Sequence, residues 1–210
     1  MEYKEVRVRC KKGEGTAVGQ FMRQLALTRL TSWRPIGFRL CKDNTNVLHS
    51  SGDIIPSMID LANSLSLMKY VSDRVDGTAI EETYTFTKVL NSDDMQGNSI
   101  KCITKGKQVL NSISNDSIIL KVYFRYGYGK YNTSQNLAYL QSTGKYRTDV
   151  KVMPSMHSPI DAFTFRTDEV NLDEEDLIFK ICANTHNELE LLKKVTDIGI
   201  SRLNDIKSKI

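Results

Sequence analysis

Apolar and polar residues alternate along several stretches of the chain, which is the pattern of half-buried β-strands. Alternation predicts strands at residues 5–10 and 36–41, and richness in Thr, Tyr, Phe and Val predicts one at 83–89; strands are also predicted at 118–126 and 162–166. In two other stretches the apolar residues recur three or four positions apart, which predicts amphipathic helices at 18–30 and 56–65. We expect Thr16 to cap the first helix and Pro56 to lie in the first turn of the second.

The longest periodic pattern lies at the C-terminal end of the sequence. A helix is predicted to open at Asn171 or Asp173, because residues 174–176 are acidic and the helix dipole favours anions in a first turn. Its apolar or small positions are Ile178, Ile181, Thr185, Leu189, Leu192, Val195, Gly199, Leu203, Ile206 and Ile210. Such a stripe lasts roughly ten turns. Either a partner helix covers it, or the helix breaks near residues 184–185 and folds back on its own core.

Changes in composition along the chain suggest its domain organisation. A polar connector at residues 72–77 and a segment with two prolines at 153–159 enclose a region of strand-like patterns. We therefore predict an α+β fold. Residues 1–71 and 160–210 form one discontinuous domain of a sheet and long helices, and residues 72–159 form an inserted, mostly β domain.

Composition excludes some classes of protein. The 210 residues are 40% hydrophobic, which is typical of a folded globular protein, and the net charge of +4 is spread along the chain. The four cysteines are dispersed without a Cys-x-x-Cys pair, so free thiols in a reducing compartment are expected. The N-terminus does not resemble a signal peptide, and no apolar run approaches the length of roughly 20 residues that spans a bilayer. We expect a soluble intracellular protein with no membrane partner.

Few residues suggest chemistry of their own. The acidic groups at 93–94 and 174–176 are either metal ligands or, as we favour, a polar turn and a helix first turn. No Asp-x-Asp-x-Asp run that could hold catalytic magnesium is present, and the Gly-Tyr-Gly-Lys run at 127–130 lacks the full phosphate-binding loop pattern. The histidines are far apart, without the spacing of zinc ligands: His49, His157 and His186. We predict no catalytic, cofactor or metal site.

Five segments, in order along the chain, resemble the α-type assembly subunits of multisubunit DNA-directed RNA polymerases. Gly19-Gln20-Phe21-Met22-Arg23 keeps one Arg of an Asn-x-x-Arg-Arg-like motif. Asn44-Thr45-Asn46-Val47-Leu48 is similar to Asn-Thr-Ser-Val-Ile/Leu, and residues 61–67 are similar to a Leu-Ala-His-Arg-Leu-Gly-Leu helix end. Tyr126-Gly127-Tyr128-Gly129-Lys130 resembles a Lys-Gly-x-Gly-Lys turn, and Phe163-Thr164-Phe165 resembles a Phe-x-Phe strand before an acidic helix start.

The resemblance implies a non-catalytic subunit that pairs with a second α-like subunit and then holds the two large catalytic subunits. The chain stops after the last helix, which favours a heterodimer with a smaller relative. Catalytic magnesium is expected on the large subunits, and DNA would be contacted only indirectly. The implied dimer-interface residues are Val18, Phe21, Met22, Leu25, Ile181, Leu189, Leu192, Leu203 and Ile206. The implied contacts to a large subunit are Arg23, Tyr128 and Lys130.

A second hypothesis also relies on the predicted C-terminal helix. It is a stand-alone nucleic-acid-binding or structural protein that oligomerises through that helix. The degenerate motifs indicate a divergent lineage, so the expected compartment is the nucleus or cytoplasm, or a virus factory or virion if the source is viral.

Overall fold

The computed structural model describes residues 3–42, 46–47, 54–75, 77–113, 116–183 and 187–210. Within these ranges the fold is α+β, with four α-helices and antiparallel sheets. The helices are α1 (Gly15–Arg29), α2 (Met58–Leu67), α3 (Thr133–Ser142) and α4 (Glu188–Lys207). The strands are β1 (Lys4–Lys11), β2 (Thr31–Lys42), β3 (Asn46–Val47), β4 (Ile54–Ile55), β5 (Tyr70–Val71), β6 (Ile80–Phe86), β7 (Val89–Asn91), β8 (Lys101–Cys102), β9 (Gln108–Ser112), β10 (Ile118–Tyr131), β11 (Lys151–Val152), β12 (Ser155–His157), β13 (Ile160–Glu169) and β14 (Glu174–Ala183).

The chain folds into two compact units. Unit 1 contains residues 1–31 and 158–210, and unit 2 contains residues 32–157. The two ends of the chain therefore build one unit around an insertion. Residues 32–71 belong to the inserted unit, whereas the sequence interpretation placed them with the chain ends. The physical reason is β2, which pairs with β11 and neighbours β10, so that its apolar residues enter the core of unit 2.

Unit 1 is a three-stranded antiparallel sheet in the order β1-β14-β13, with α1 and α4 in its hydrophobic core. The register places Val6 opposite Phe179 and Phe179 opposite Phe165, so all three side chains share the face that packs on the helices. The opposite face carries charged side chains at alternate positions. Lys180 binds Glu5 there at 2.8 Å, which is the cross-strand pairing expected of a solvated sheet face.

Unit 2 is organised around the long strand β10, which neighbours β2 and pairs with β6 and β12. Its main core includes Phe38 of β2, Leu65 of α2 and Phe124 of β10, all buried. A smaller cluster contains Ile36, Tyr123 and Leu140 of α3. Asn46 and Val47 pair with Lys42 and Cys41 as β3, while the rest of the predicted Asn44–Leu48 motif lies outside the described residues.

The prediction of a continuous helix from Asn171 or Asp173 is wrong. The segment 174–183 is the central strand β14, and α4 begins only at Glu188. The apolar run Leu177-Ile178-Phe179 and Ile181 is buried on both faces of the sheet, so it fits a strand as well as a helix. Pairing with strands on both sides decides in favour of the strand.

Candidate protein-binding interface

The first helix is held in place by a carboxylate from β14. Glu175 Oε1 accepts hydrogen bonds from the backbone N–H of Gly13 at 3.1 Å and of Gly15 at 2.7 Å. These amides lie at the start of α1, where N–H groups have no partner within the helix and the dipole favours a negative charge. Thr16 was predicted to cap this helix, but it lies inside α1. The N-cap residue is Glu14, and its side chain forms no capping hydrogen bond. The cap comes instead from a residue 160 positions away.

A glycine allows α1 to lie close to the sheet. A Cβ atom built on Gly19 would lie 2.6 and 2.7 Å from ring atoms of Phe165, which no side chain tolerates without movement. Arg23, one turn further along, is exposed, and its Nε donates to the carbonyl of Phe163 at 3.3 Å. Arg23 thus has one fixed contact within unit 1, and its guanidinium remains at the surface.

Two of the predicted interface residues of α1 belong to the core of unit 1. Met22 and Leu25 are buried against strands β13 and β14 and against α4, and so offer little surface to a partner. Phe21 is half-buried against the same core, and Val18 is exposed. The helical periodicity of these residues is correct, but their apolar face is satisfied by the chain's own sheet and last helix.

The first half of α4 is also packed on unit 1. The Asn187 side chain accepts from the Leu189 amide at 2.9 Å and caps the helix. Leu191 and Val195 are buried, and a Cβ atom on Gly199 would lie 3.1 Å from Phe21 and 3.3 Å from Leu25. Gly199 therefore marks a close approach between α4 and α1 rather than a kink.

The second half of α4 is different, because every residue from 200 to 210 is exposed. Leu203 and Ile206 are three positions apart and lie on one side of α4, and Ile210 follows the helix, which ends at Lys207. Their exposed fractions are 57%, 58% and 101%. We call these three residues the distal stripe. Ile200, 53% exposed, lies beside it.

The other predicted interface residues of the C-terminal region divide between core and surface. Ile181 is fully buried in the central strand β14 and does not lie on a helix, so its side chain offers no surface to a partner. Leu192 is half-buried against the core of unit 1, and Leu189 is 42% exposed. Leu203 and Ile206 are the predicted residues with the largest exposed surface in α4.

Tyr128 and Lys130 were predicted to lie in a turn, but both belong to β10, which continues to Tyr131. Lys130 pairs with Met156 of β12, and this pairing extends the strand beyond its expected end at Tyr126. Gly129 has φ of +69°, a conformation that glycine adopts without strain. Tyr128 and Lys130 are both exposed. Arg23 belongs to unit 1 and these two residues to unit 2.

A buried polar network in unit 2 was missed by the sequence analysis. His157 has no exposed surface, and its ring nitrogens lie 2.9 Å from Ser155 Oγ and 2.8 Å from the carbonyl oxygen of Ser32. Asn136 Nδ2 donates to Ser155 Oγ at 3.1 Å, which leaves the serine hydroxyl to donate to His157 Nε2. These partners satisfy a neutral imidazole whose Nδ1–H donates to Ser32.

Burial lowers the pKa of His157 to about 4, with Arg125 and Arg34 acting in the same direction and the Ser32 hydrogen bond opposing them. The Arg125 guanidinium stacks on Tyr131, 3.6 Å from the ring centroid, and donates to Asn136 Oδ1 at 3.2 Å. The spacing of these residues along the chain gave no signal, because β10, α3 and β12 bring them together. We interpret this hydrogen-bond network as a structural feature that holds β10, α3 and β12 together in unit 2.

The acidic clusters have structural partners. Asp94 Oδ2 accepts from the Asn91 amide at 3.0 Å, and Asp93 Oδ2 accepts from the Gly106 amide at 2.8 Å, so both fix turns. Glu174 and Asp176 bind Arg9 across the outer face of the unit 1 sheet. Among the described residues, no group of three His, Cys, Asp or Glu side chains is placed to hold a metal ion. All four cysteines are free thiols.

Comparison of the sequence with known proteins gives no assignment. No protein-family model matches the chain, and no curated protein matches it either. Of the helices in the described ranges, none is both long enough and apolar enough to cross a membrane.

Proposed function

We propose that this protein is a non-catalytic assembly subunit of a multisubunit DNA-directed RNA polymerase, of the α type. It would pair with a second α-like subunit, most readily a different and smaller chain. The pair would then hold two large subunits that carry the catalytic magnesium and contact the DNA. The proposal keeps the α-subunit-like dimerisation domain as the interpretation of unit 1, in which both chain ends combine a sheet with two helices.

The distal stripe is the observation that carries the proposal. Burying a large aliphatic side chain contributes about 1.5–3 kcal/mol. Scaled by the exposed fractions of its two helical residues, Leu203 and Ile206, covering the stripe contributes roughly 2–3 kcal/mol. Association of two proteins costs on the order of 4–15 kcal/mol in lost freedom of motion. The stripe alone therefore supports only weak pairing, and a stable assembly needs further contacts of the kind a multisubunit complex provides.

The packing of the helices supports the same function. Leu191 and Val195 fix the first half of α4 on unit 1, so the second half is a preformed surface that loses little conformational freedom on binding. Arg23 presents its guanidinium at the surface of the same unit, where the resemblance places a contact with a large subunit.

The direct test is purification of the tagged full-length chain from its natural source. We expect two very large proteins and a smaller α-like protein to copurify, and the eluate to synthesise RNA on a DNA template. The variant Leu203→Asp with Ile206→Asp should lose these proteins, because a carboxylate buried without a partner costs several kcal/mol.

Ile59→Asp is the matched control, because Ile59 is an exposed apolar residue on α2 in unit 2. This variant should keep the complex. Recovery of the unmodified chain as a monomer without polymerase activity would contradict the proposal. Recovery of homo-oligomers that need the distal stripe but contain no large subunit would favour the structural-protein hypothesis.

A further inference from the structure

Basic side chains border the distal stripe on both sides. If Leu203 is taken as the a position of a heptad and Ile206 as the d position, Lys207 occupies e and Arg202 occupies g, while Lys209 lies just past the end of α4. These e and g positions lie beside the apolar seam and face the flanks of a partner helix. Asp205 falls at the outward c position, so no acidic residue from 200 to 210 borders the stripe.

The three cations lack acidic partners in the part of the chain that the structure describes. Arg202, Lys207 and Lys209 are exposed and form no ion pair with any described residue.

The outer face of the unit 1 sheet shows the opposite arrangement. Its basic residues face acidic ones across the strands, as in the pairs Lys180–Glu5 at 2.8 Å and Arg9–Glu174 at 3.2 Å. Charges on that face are neutralised within the chain, whereas those beside the distal stripe are left for another molecule.

We propose that the distal stripe binds an amphipathic helix of a different chain, whose positions flanking its own apolar seam carry Asp or Glu. The inference rests on the proposed function, because it names the chemistry of the partner at the same surface. An apolar ridge on that helix would cover Leu203 and Ile206, and its carboxylates would meet Arg202 and Lys207.

A second copy of the chain fits this surface poorly. In a parallel pair, Arg202 at g faces Lys207 at e of the other copy. In an antiparallel pair, g faces g and e faces e, so like charges meet again. Self-association would bury the same apolar surface but add repulsion on both flanks. The charge pattern therefore selects a heterologous partner over a homodimer.

A nucleic acid would satisfy only part of the surface. Phosphates would pair with the three cations, but the exposed Leu203, Ile206 and Ile210 between them would remain in contact with water or with the charged backbone. An acidic amphipathic helix satisfies the apolar and the basic groups together, which is why we favour a protein partner.

The experiment uses the full-length chain as its own probe. The variant R202E/K207E/K209E has the same apolar stripe with acidic flanks, so it represents the proposed partner. Fluorescence anisotropy with one labelled component compares unmodified chain against itself, variant against itself, and the mixture of the two. We expect the mixture to associate about tenfold or more tightly than either protein alone at low salt. Added salt should weaken this preference, because the flanking charges are exposed.

Two controls assign the preference to this surface. The variant K88E/K101E/K105E makes the same change in net charge on exposed lysines of unit 2, and it should associate with the unmodified chain no more tightly than the unmodified chain does with itself. Adding Leu203→Asp and Ile206→Asp to one component of the mixture should abolish association. A nucleic-acid surface would instead bind duplex DNA in a way that depends on the cations and is insensitive to these two substitutions.

Self-association of the unmodified chain as tight as that of the mixture would overturn the inference. So would an absence of association in every mixture, or equal association with the unit 2 control. These results are separable from a failure of the proposed function. If the protein is a polymerase subunit that homodimerises, the anisotropy experiment would show no preference for the mixture, but two large subunits would still copurify. If the charge preference is correct but the proposed function is not, the mixture would associate more tightly and no large subunits would copurify.

Discussion

Removing the Glu175 carboxylate should destabilise unit 1, because this side chain connects β14 to the start of α1. The residue is 7% exposed, and Oε1 alone accepts from two amides at the start of α1. Glu175→Ala leaves both amides without that acceptor and removes the charge that the helix dipole stabilises. Substitution of a helix cap costs about 0.5–2 kcal/mol, and hydrogen bonds to charged groups contribute about 1.5–3 kcal/mol. We expect a loss of about 2–3 kcal/mol for alanine and about 1 kcal/mol for Glu175→Gln, which keeps an acceptor oxygen.

The measurement is urea unfolding followed by far-UV circular dichroism. This signal reports mainly on unit 1, because α1 and α4 contribute 15 and 20 helical residues and the two helices of unit 2 contribute 10 each. Glu174→Ala is the matched control, since Glu174 is the preceding residue but lies on the outer face of the sheet and binds the exposed Arg9. It should cost less than about 1 kcal/mol. Equal effects of the two alanine variants would refute the capping role of Glu175.

Two further predictions concern stability. Because the pKa of His157 is about 4 when folded and about 6.5 when unfolded, the unfolded chain binds more protons between these values, and unit 2 should lose about 2 kcal/mol between pH 7 and pH 5. Urea unfolding monitored by Trp33 fluorescence checks this, and His157→Gln should abolish that part of the pH dependence. Gly19→Ala should cost about 1–2 kcal/mol by circular dichroism, since the clash with Phe165 exceeds the gain in helix propensity. Phe165→Leu in the same chain should recover part of that loss, and strictly additive effects would exclude the contact.

Strong local patterns predicted most of the individual elements correctly. The strands expected at 5–10, 36–41 and 118–126 are confirmed as β1, β2 and β10, although β10 extends further. The helices expected at 18–30 and 56–65 are confirmed as α1 and α2. The helical period of α1 and α2 and the alternation of β1 match one face toward a core, whereas β2 and β10 are buried on both faces over most of the predicted segments.

The segment at 174–183 shows where local patterns fail. Its apolar residues satisfy both a helical and an alternating interpretation, and its three acidic residues resemble a helix start. The strand is chosen by its two neighbours, β13, which directly precedes it in the chain, and β1, which comes from the N-terminal segment; they pair along its two edges. The acidic residues then face in two directions, Glu175 toward α1 and Asp176 toward Arg9.

The sequence by itself determined the elements with one clear periodicity, the α+β class and the presence of an apolar stripe on the last helix. Only the tertiary structure decided which part of that stripe remains exposed. Val195 and Gly199 of the predicted stripe are covered by unit 1, whereas Leu203 and Ile206 are exposed. The periodicity of a sequence shows which residues lie on the apolar side of a helix. Whether those residues are buried depends on which other segments of the chain pack against that side. For the same reason, the sequence did not predict the helix cap from Glu175 or the hydrogen-bond network around His157.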